Sequence, residues 1–333
     1  MRSKLITSAA ILSGLLVIII VFGNIVIVAQ KENVAGTWTA RVRSSAEKHK
    51  WDDDDDLVDE IIDDDKSGEP RLQINLKRNR RNRDWSNGNS YRFSEISGLT
   101  QNQTQNGPVS FSVVREAGRV DFVGSFNNGN GSGTFTFTPD RSYFDRMQQR
   151  GFDFYKEEPA EENIVRSSFE DRALAAFFLN VTAAKADDLV AANFGSLDID
   201  DLFKATIFKI DGKFMSEMKA TGFPDLSMED LVKARIFKID ANYVSQIRAM
   251  GYDSGDFERL VKFRIFKVTP EFLNELRSAG LTNISAEDIV KCRIFNIDAD
   301  FVRKERAKDP NVTIEDLVKM RIGIGKNFLR DEF

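Results

Sequence analysis

Ile236-Phe237-Lys238-Ile239-Asp240 returns as Ile265-Phe266-Lys267-Val268-Thr269 and again as Ile294-Phe295-Asn296-Ile297-Asp298. The spacing is 29 residues, with an earlier copy at Ile207-Phe208 and a later one at Ile322, 28 residues after Ile294. Phe214, Tyr243, Phe272 and Phe301 keep the period, as do Met218, Ile247 and Leu276, and Gly222, Gly251 and Gly280. A period of this size means a solenoid-like array, in which each unit buries its apolar face on its neighbours.

Each unit reads as two short helices. One opens at a capping residue (Asp211, Asp240, Thr269 or Asp298), sets an aromatic and then an aliphatic residue on one face, and ends at the glycine. Thr269-Pro270 is the clearest start, because proline at the first helical position loses no hydrogen bond. The other opens at Asp198, Ser227, Asp256, Ser285 or Thr313, carries acids in its first turn and ends in a basic one. Those basic turns hold Lys233 and Arg235, Lys262 and Arg264, Lys291 and Arg293, and Lys319 and Arg321. Acid first and base last complements the helix dipole. Stacked at the repeat period, the four pairs form a ladder, read either as helix capping and solubility or as a binding surface for an anionic partner. From Thr182 to Gly325 the count is 144 residues, four units of 29 and one of 28. The end units lose apolar residues, Lys185 replacing the aromatic in the first, and Glu305 and Asp309 replacing the aliphatic and the glycine in the last. Polar end units are expected of capped arrays.

Upstream the period changes to two. Trp38, Ala40 and Val42 alternate with polar neighbours, as do Leu72, Ile74 and Leu76, then Tyr91 and Phe93, then Val109, Phe111 and Val113, then Val120 and Phe122, then Phe135 and Phe137. Each set is a half-buried strand. Turns at Glu116–Arg119 and Asn127–Gly131 separate the later ones. The fold class is therefore α+β: an N-terminal antiparallel β meander, closed as a small barrel or folded as a sandwich, followed by an α-helical repeat array. The expected divisions are 1–29, an export segment; 30–139, the β domain; 140–181, a helical connector with a linker at 157–163; and 182–333, five two-helix repeats.

Charge is uneven. The chain of 333 residues has a formal charge of −5. Two expected loops hold the imbalance: residues 47–69 alone carry −9, from twelve acids against three lysines, and residues 77–83 carry +5. The acidic run is expected as a solvated loop between the first two strands, with pairing to the arginine run and cation binding as the other readings. Arg2 and Lys4 precede an apolar stretch from Ile6 to Ala29. A positive start and an apolar run make a secretory signal, with Ile27-Val28-Ala29 as a cleavage site. Left uncleaved, the run is long enough for a membrane anchor, since about 20 apolar residues span a bilayer. Either way the chain is expected outside the cytoplasm, in the periplasm or cell envelope, touching membrane only through that segment.

The chain has one His, His49, and one Cys, Cys292. This excludes an internal disulfide framework, a multi-Cys zinc site and a paired-His metallopeptidase motif. Cys292 stands where other units carry Ala234 and Phe263, so it reads as a buried apolar substitute. No metal site and no cofactor is expected, and the arginine run lacks the interleaved aromatics of single-strand nucleic-acid binders.

The segments Val268–Phe272, Leu276–Leu281 and Ser285–Asp288 resemble helical repeats of exported bacterial proteins. Similar repeats follow the peptidase domain of some BlaR-type antirepressor membrane metallopeptidases. Gly36-Thr37-Trp38 and Gly133–Pro139 resemble the β region that accompanies such repeats, and Gly-x-Trp also opens lipocalin- and avidin-like barrels. The peptidase half has no counterpart here, so the resemblance implies extracytoplasmic sensing or interaction without peptidase activity. The expected function is that of a non-enzymatic interaction or sensing protein, its partner another envelope protein or an anionic surface. The alternative is a carrier holding a small ligand inside the β domain.

Overall fold

The structure, a computed structural model, describes residues 34–43, 69–80, 83–156, 168–252 and 255–323. The apolar N-terminus, the acidic run with His49 and the 157–163 linker lie outside the described residues. The chain forms two compact units, the second of which takes in the helical array from Ala183 onward.

The first unit is built on seven antiparallel strands: β1 (Val34–Arg43), β2 (Arg71–Arg80), β3 (Arg83–Arg92), β4 (Ile96–Ser97), β5 (Asn106–Arg115), β6 (Gly118–Asn127) and β7 (Asn130–Pro139). Their order across the sheet is β3-β2-β1-β7-β6-β5-β4. That is the circular order of an up-and-down barrel, cut between β3 and β4. The α+β class and the antiparallel sheet are as read; of the two forms expected, the sheet takes a barrel's strand order but curls only halfway. Two details differ from the alternation. Phe93 sits half-buried in a 3₁₀ turn, Phe93–Glu95, and the short β4 follows it. The arginine run is no loop either: Lys77, Arg78 and Arg80 lie in β2 and Arg83 opens β3, so the run forms a hairpin.

The inner face is aromatic. Trp38 is buried against Phe111 and Phe122, which meet it edge-on at 5.4 and 6.0 Å, and against Phe126 at 5.7 Å. Its indole N–H donates to the Val123 carbonyl at 3.2 Å. The register explains how a residue this large fits. A Cβ at Gly124 would stand 2.8 Å from the indole, and one at Gly131 would stand 2.7 Å from it. Glycine on β6 and β7 thus provides the floor on which the indole from β1 lies.

Helix α1 (Arg141–Gln149) follows β7 directly, and Asp140 starts it by accepting hydrogen bonds from the amides of Ser142 and Tyr143. Helix α2 (Phe169–Leu179) is capped by Ser168, whose hydroxyl accepts from the Asp171 amide. The described parts of the expected connector, apart from residues 150–152, therefore belong to the β unit. Phe177 of α2 packs on Phe137 at 5.5 Å, and Tyr143 donates to the Val181 carbonyl at 2.8 Å. The C-terminus of α2 is held from both sides of the cut in the sheet. Asn89 of β3 donates to the Phe178 carbonyl at 2.7 Å. Arg115 of β5 donates to the carbonyls of Phe177 and Phe178 at 2.7 and 2.8 Å. A helix end with unsatisfied carbonyls thus bridges the two edges of the sheet, which share no ladder with each other.

The second unit is a series of ten helices: α3 (Ala183–Ala191), α4 (Ile199–Ile207), α5 (Gly212–Ala220), α6 (Met228–Ile236), α7 (Ala241–Ala249), α8 (Phe257–Ile265), α9 (Pro270–Ser278), α10 (Ala286–Ile294), α11 (Ala299–Arg306) and α12 (Ile314–Arg321). The expected caps are in place, with Asp211, Asp240, Thr269 and Asp298 accepting from the amide three residues on. Gly222, Gly251 and Gly280 end α5, α7 and α9 with φ between 90° and 97°. The other series ends differently. Lys209, Lys238, Lys267 and Asn296 take the left-handed conformation, with φ near 50°. The next amide then reaches back to the helix, as in Ile210 to the Ala205 carbonyl at 2.8 Å. For lysine that conformation costs about 1 kcal/mol.

Candidate functional site

The basic ladder can now be placed residue by residue. Arg235, at the end of α6, lies over the Phe214 ring of α5 at 3.8 Å and donates to the Lys209 carbonyl at the end of α4. Arg264 does the same with Tyr243 at 3.7 Å and the Lys238 carbonyl. Arg293 lies over Phe272 at 3.7 Å. Arg321 lies over Phe301 at 4.0 Å and donates to the Asn296 carbonyl. The alternate helices carry a matching set, Arg248 donating to the Thr221 carbonyl and Arg277 to that of Met250. Except for Arg293, which has the ring contact alone, each of these arginines caps the C-terminus of the second helix before its own, where the dipole is negative and carbonyls lack partners.

The lysines run the other way. Lys204 pairs with Glu229, Lys233 with Glu258, and Lys291 with Glu315 at 3.0 Å, each reaching the first turn of the second helix onward. These pairs are solvent-exposed and individually contribute less than about 1 kcal/mol. Among the described residues Lys262 and Lys319 form no ion pair. Of the eight ladder residues, the four arginines and two of the lysines therefore join neighbouring helices.

A feature the sequence reading passed over lies beside them. Ile207, Ile265, Ile294 and Ile322 are 38 to 50% exposed. They recur with the repeat at the C-terminal ends of α4, α8, α10 and α12, each followed by a half-buried or exposed residue and, in the first three, by the left-handed Lys209, Lys267 or Asn296. The signal was present. Each isoleucine stands five residues after the core residue of its helix (Leu202, Leu260, Ile289 and Leu317), and five helical residues turn the side chain about 140° away from the core. Four half-exposed aliphatic side chains, with the half-buried Ile236 between the first two, form an apolar edge rimmed by lysine.

Cys292 is fully buried, and burial together with nearby Asp288 pushes its thiol up to about 11. A thiol in that environment is inert. We expect the native protein to leave a disulfide-exchange reagent unconsumed until denaturant is added; rapid stoichiometric reaction without denaturant would contradict the buried placement. The end units have substitutes for the lost contacts: Lys185 donates to the Ile210 carbonyl, and the buried Glu305 pairs with Lys308 at 2.8 Å. The interior of the β unit, the place for a carried ligand on the alternative reading, is packed by Trp38, Phe111, Phe122 and Phe137, with Phe177 of α2 on Phe137. Among the described residues no three His, Cys, Asp or Glu side chains come together as a metal site, and no helix is long and apolar enough to cross a membrane.

Fold and surface together define an α+β protein with a curled β unit and a five-pair helical-repeat array. Comparison with family models, curated proteins and solved structures finds no match.

Proposed function

We propose that the protein is a non-enzymatic, extracytoplasmic interaction or sensing protein whose helical array offers the binding surface. The exposed isoleucine edge carries this reading. The exposed part of its four side chains costs solvation in the isolated chain, at about 25 cal/mol per Å² of apolar surface. Repeat arrays bind along extended surfaces of this kind. The resemblance to repeats beside BlaR-type peptidases supports the sensing part, and the apolar run from Ile6 to Ala29 supports export. The partner is another envelope protein, with Lys209, Lys238 and Lys267 beside the isoleucines favouring an acidic one.

The test is capture from an envelope extract with the chain lacking residues 1–29. Wild-type protein should retain one dominant protein. Changing Ile265→Asp and Ile294→Asp together should weaken retention about a hundred-fold or more, because two apolar anchors are lost, while leaving the helical signal unchanged. Equal retention by the double variant, or small-molecule material with no protein partner, would sink the reading.

A further inference from the structure

Where α7, α8 and α9 meet there is a cleft of about 540 Å³, lined by Tyr243, Gln246, Phe263, Arg264, Thr269 and Pro270 among others. Its size lies within the range of small-molecule sites. The other repeats supply an internal reference for it. At the equivalent places the two flanking junctions carry Phe214 and Phe272 for Tyr243, Glu217 and Glu275 for Gln246, and Asp240 and Asp298 for Thr269, while the terminal junction at Phe301 carries Lys304 in place of the glutamate. Three departures from the repeat thus converge on one cleft. Two remove a carboxylate and one adds a hydroxyl.

The lost carboxylate has a definite role elsewhere. Glu217 lies in the field of Arg235 and Glu275 in that of Arg293, each favouring the charged guanidinium stacked above its aromatic ring. Arg264 is stacked in the same way over Tyr243 but faces the neutral Gln246. Tyr243 is 95% buried, and among the described residues its hydroxyl has no hydrogen-bond partner. Buried hydroxyls are almost always hydrogen-bonded, so a site that keeps an orphan one departs from the usual pattern. Burial pushes the phenol up to about 12, which keeps it a donor at neutral pH. Of the lining residues only Glu271 is acidic, and its carboxylate is engaged with its own amide and with Thr269 at the start of α9.

We propose that this cleft binds a small organic carboxylate. Its anionic end takes the place of the glutamate that the two flanking junctions supply, against Arg264 and with Lys267 nearby, and accepts from the Tyr243 hydroxyl and the Gln246 amide. Its apolar body lies along Phe263, Val268 and Pro270. The site needs no protein partner and does not rest on the isoleucine edge.

The probe is phenylacetate, with phenylacetamide as its uncharged counterpart, titrated by calorimetry against the folded chain. Two variants are safe for the fold, because each restores the residue that other junctions carry. Tyr243→Phe removes one donor and should weaken phenylacetate about ten-fold. Gln246→Glu fills the place with an internal carboxylate and should abolish binding. Phenylacetamide should bind at least about ten-fold more weakly than phenylacetate, as befits loss of a charge-assisted bond. The proposal is overturned by any of three results: no saturable binding of phenylacetate at millimolar concentration, equal binding to wild type and Gln246→Glu, or equal binding of acid and amide. Thermal melts of both variants that match or exceed wild type would show that a loss of binding comes from the site and not from the fold.

Discussion

Replacing Trp38 by alanine should lower the melting midpoint of the β unit by roughly 6–20 °C. Aromatic-to-alanine changes in a packed core cost about 3–5 kcal/mol, and a unit of this size shifts by about 2–4 °C per kcal/mol. The upper part of the range is expected for a specific reason. Large-to-small changes are least costly where neighbours collapse into the space, and here the floor is glycine on two adjacent strands. Gly124 and Gly131 have no side chains to move inward, while Phe111, Phe122 and Phe126 each lose a ring contact. The Val123 carbonyl also loses its indole donor. Val123→Ala is the control, because its side chain is 58% exposed on β6. A Trp38→Ala shift no larger than the control's would show that the indole is not the centre of the core.

The second large effect belongs to Arg115. Its side chain is only 11% exposed, donates to two carbonyls at the end of α2 and lies over the rings of Tyr91 and Phe177 at 5.0 and 5.5 Å. Removing one member of a buried, hydrogen-bonded charged set costs about 3–5 kcal/mol, since the partners stay buried without it. Asn89 would still hold the Phe178 carbonyl, leaving that of Phe177 to the Asn180 amide. In Arg115→Ala, amides near the end of α2, from Ala176 to Val181, should exchange markedly faster, and the β unit should melt at lower temperature. Arg119→Ala removes the same charge from an exposed pair with Asp121 and should change stability by less than about 1 kcal/mol. Similar losses in the two variants would mean that α2 does not close the sheet.

Much of this architecture could be read from sequence, and the failures have a common origin. Alternation located the longer strands because each inward set is separated from the next by recognisable turns. The repeat caps were legible because Ser, Thr and Asp before an acid-rich turn act within four residues. The open seam was not legible. It depends on a two-residue strand and on single long-range contacts from Asn89 and Arg115 to a helix more than 60 residues away in sequence. The arginine ladder was half legible. Arg235, Arg264 and Arg293 each follow their aromatic partner by 21 residues, a constant offset, but the other partner of Arg235 and Arg264 is a backbone carbonyl, which leaves no mark in side-chain patterns. Exposure of the isoleucines was encoded in the five-residue step from the core position, and was masked by their use as markers of the period.

The rule that an arginine caps the second helix before it has a consequence for inheritance. Each 29-residue unit brings donors for the unit before it and acceptors for the unit after it, so any internal unit can adjoin a copy of itself. Tandem duplication or deletion of 87 nucleotides leaves each new junction with the chemistry of an old one, as long as the two ends are kept. The number of units is then free to drift between lineages while the fold holds. A one-copy exception such as the Tyr243 cleft would be lost or doubled in a single genetic step.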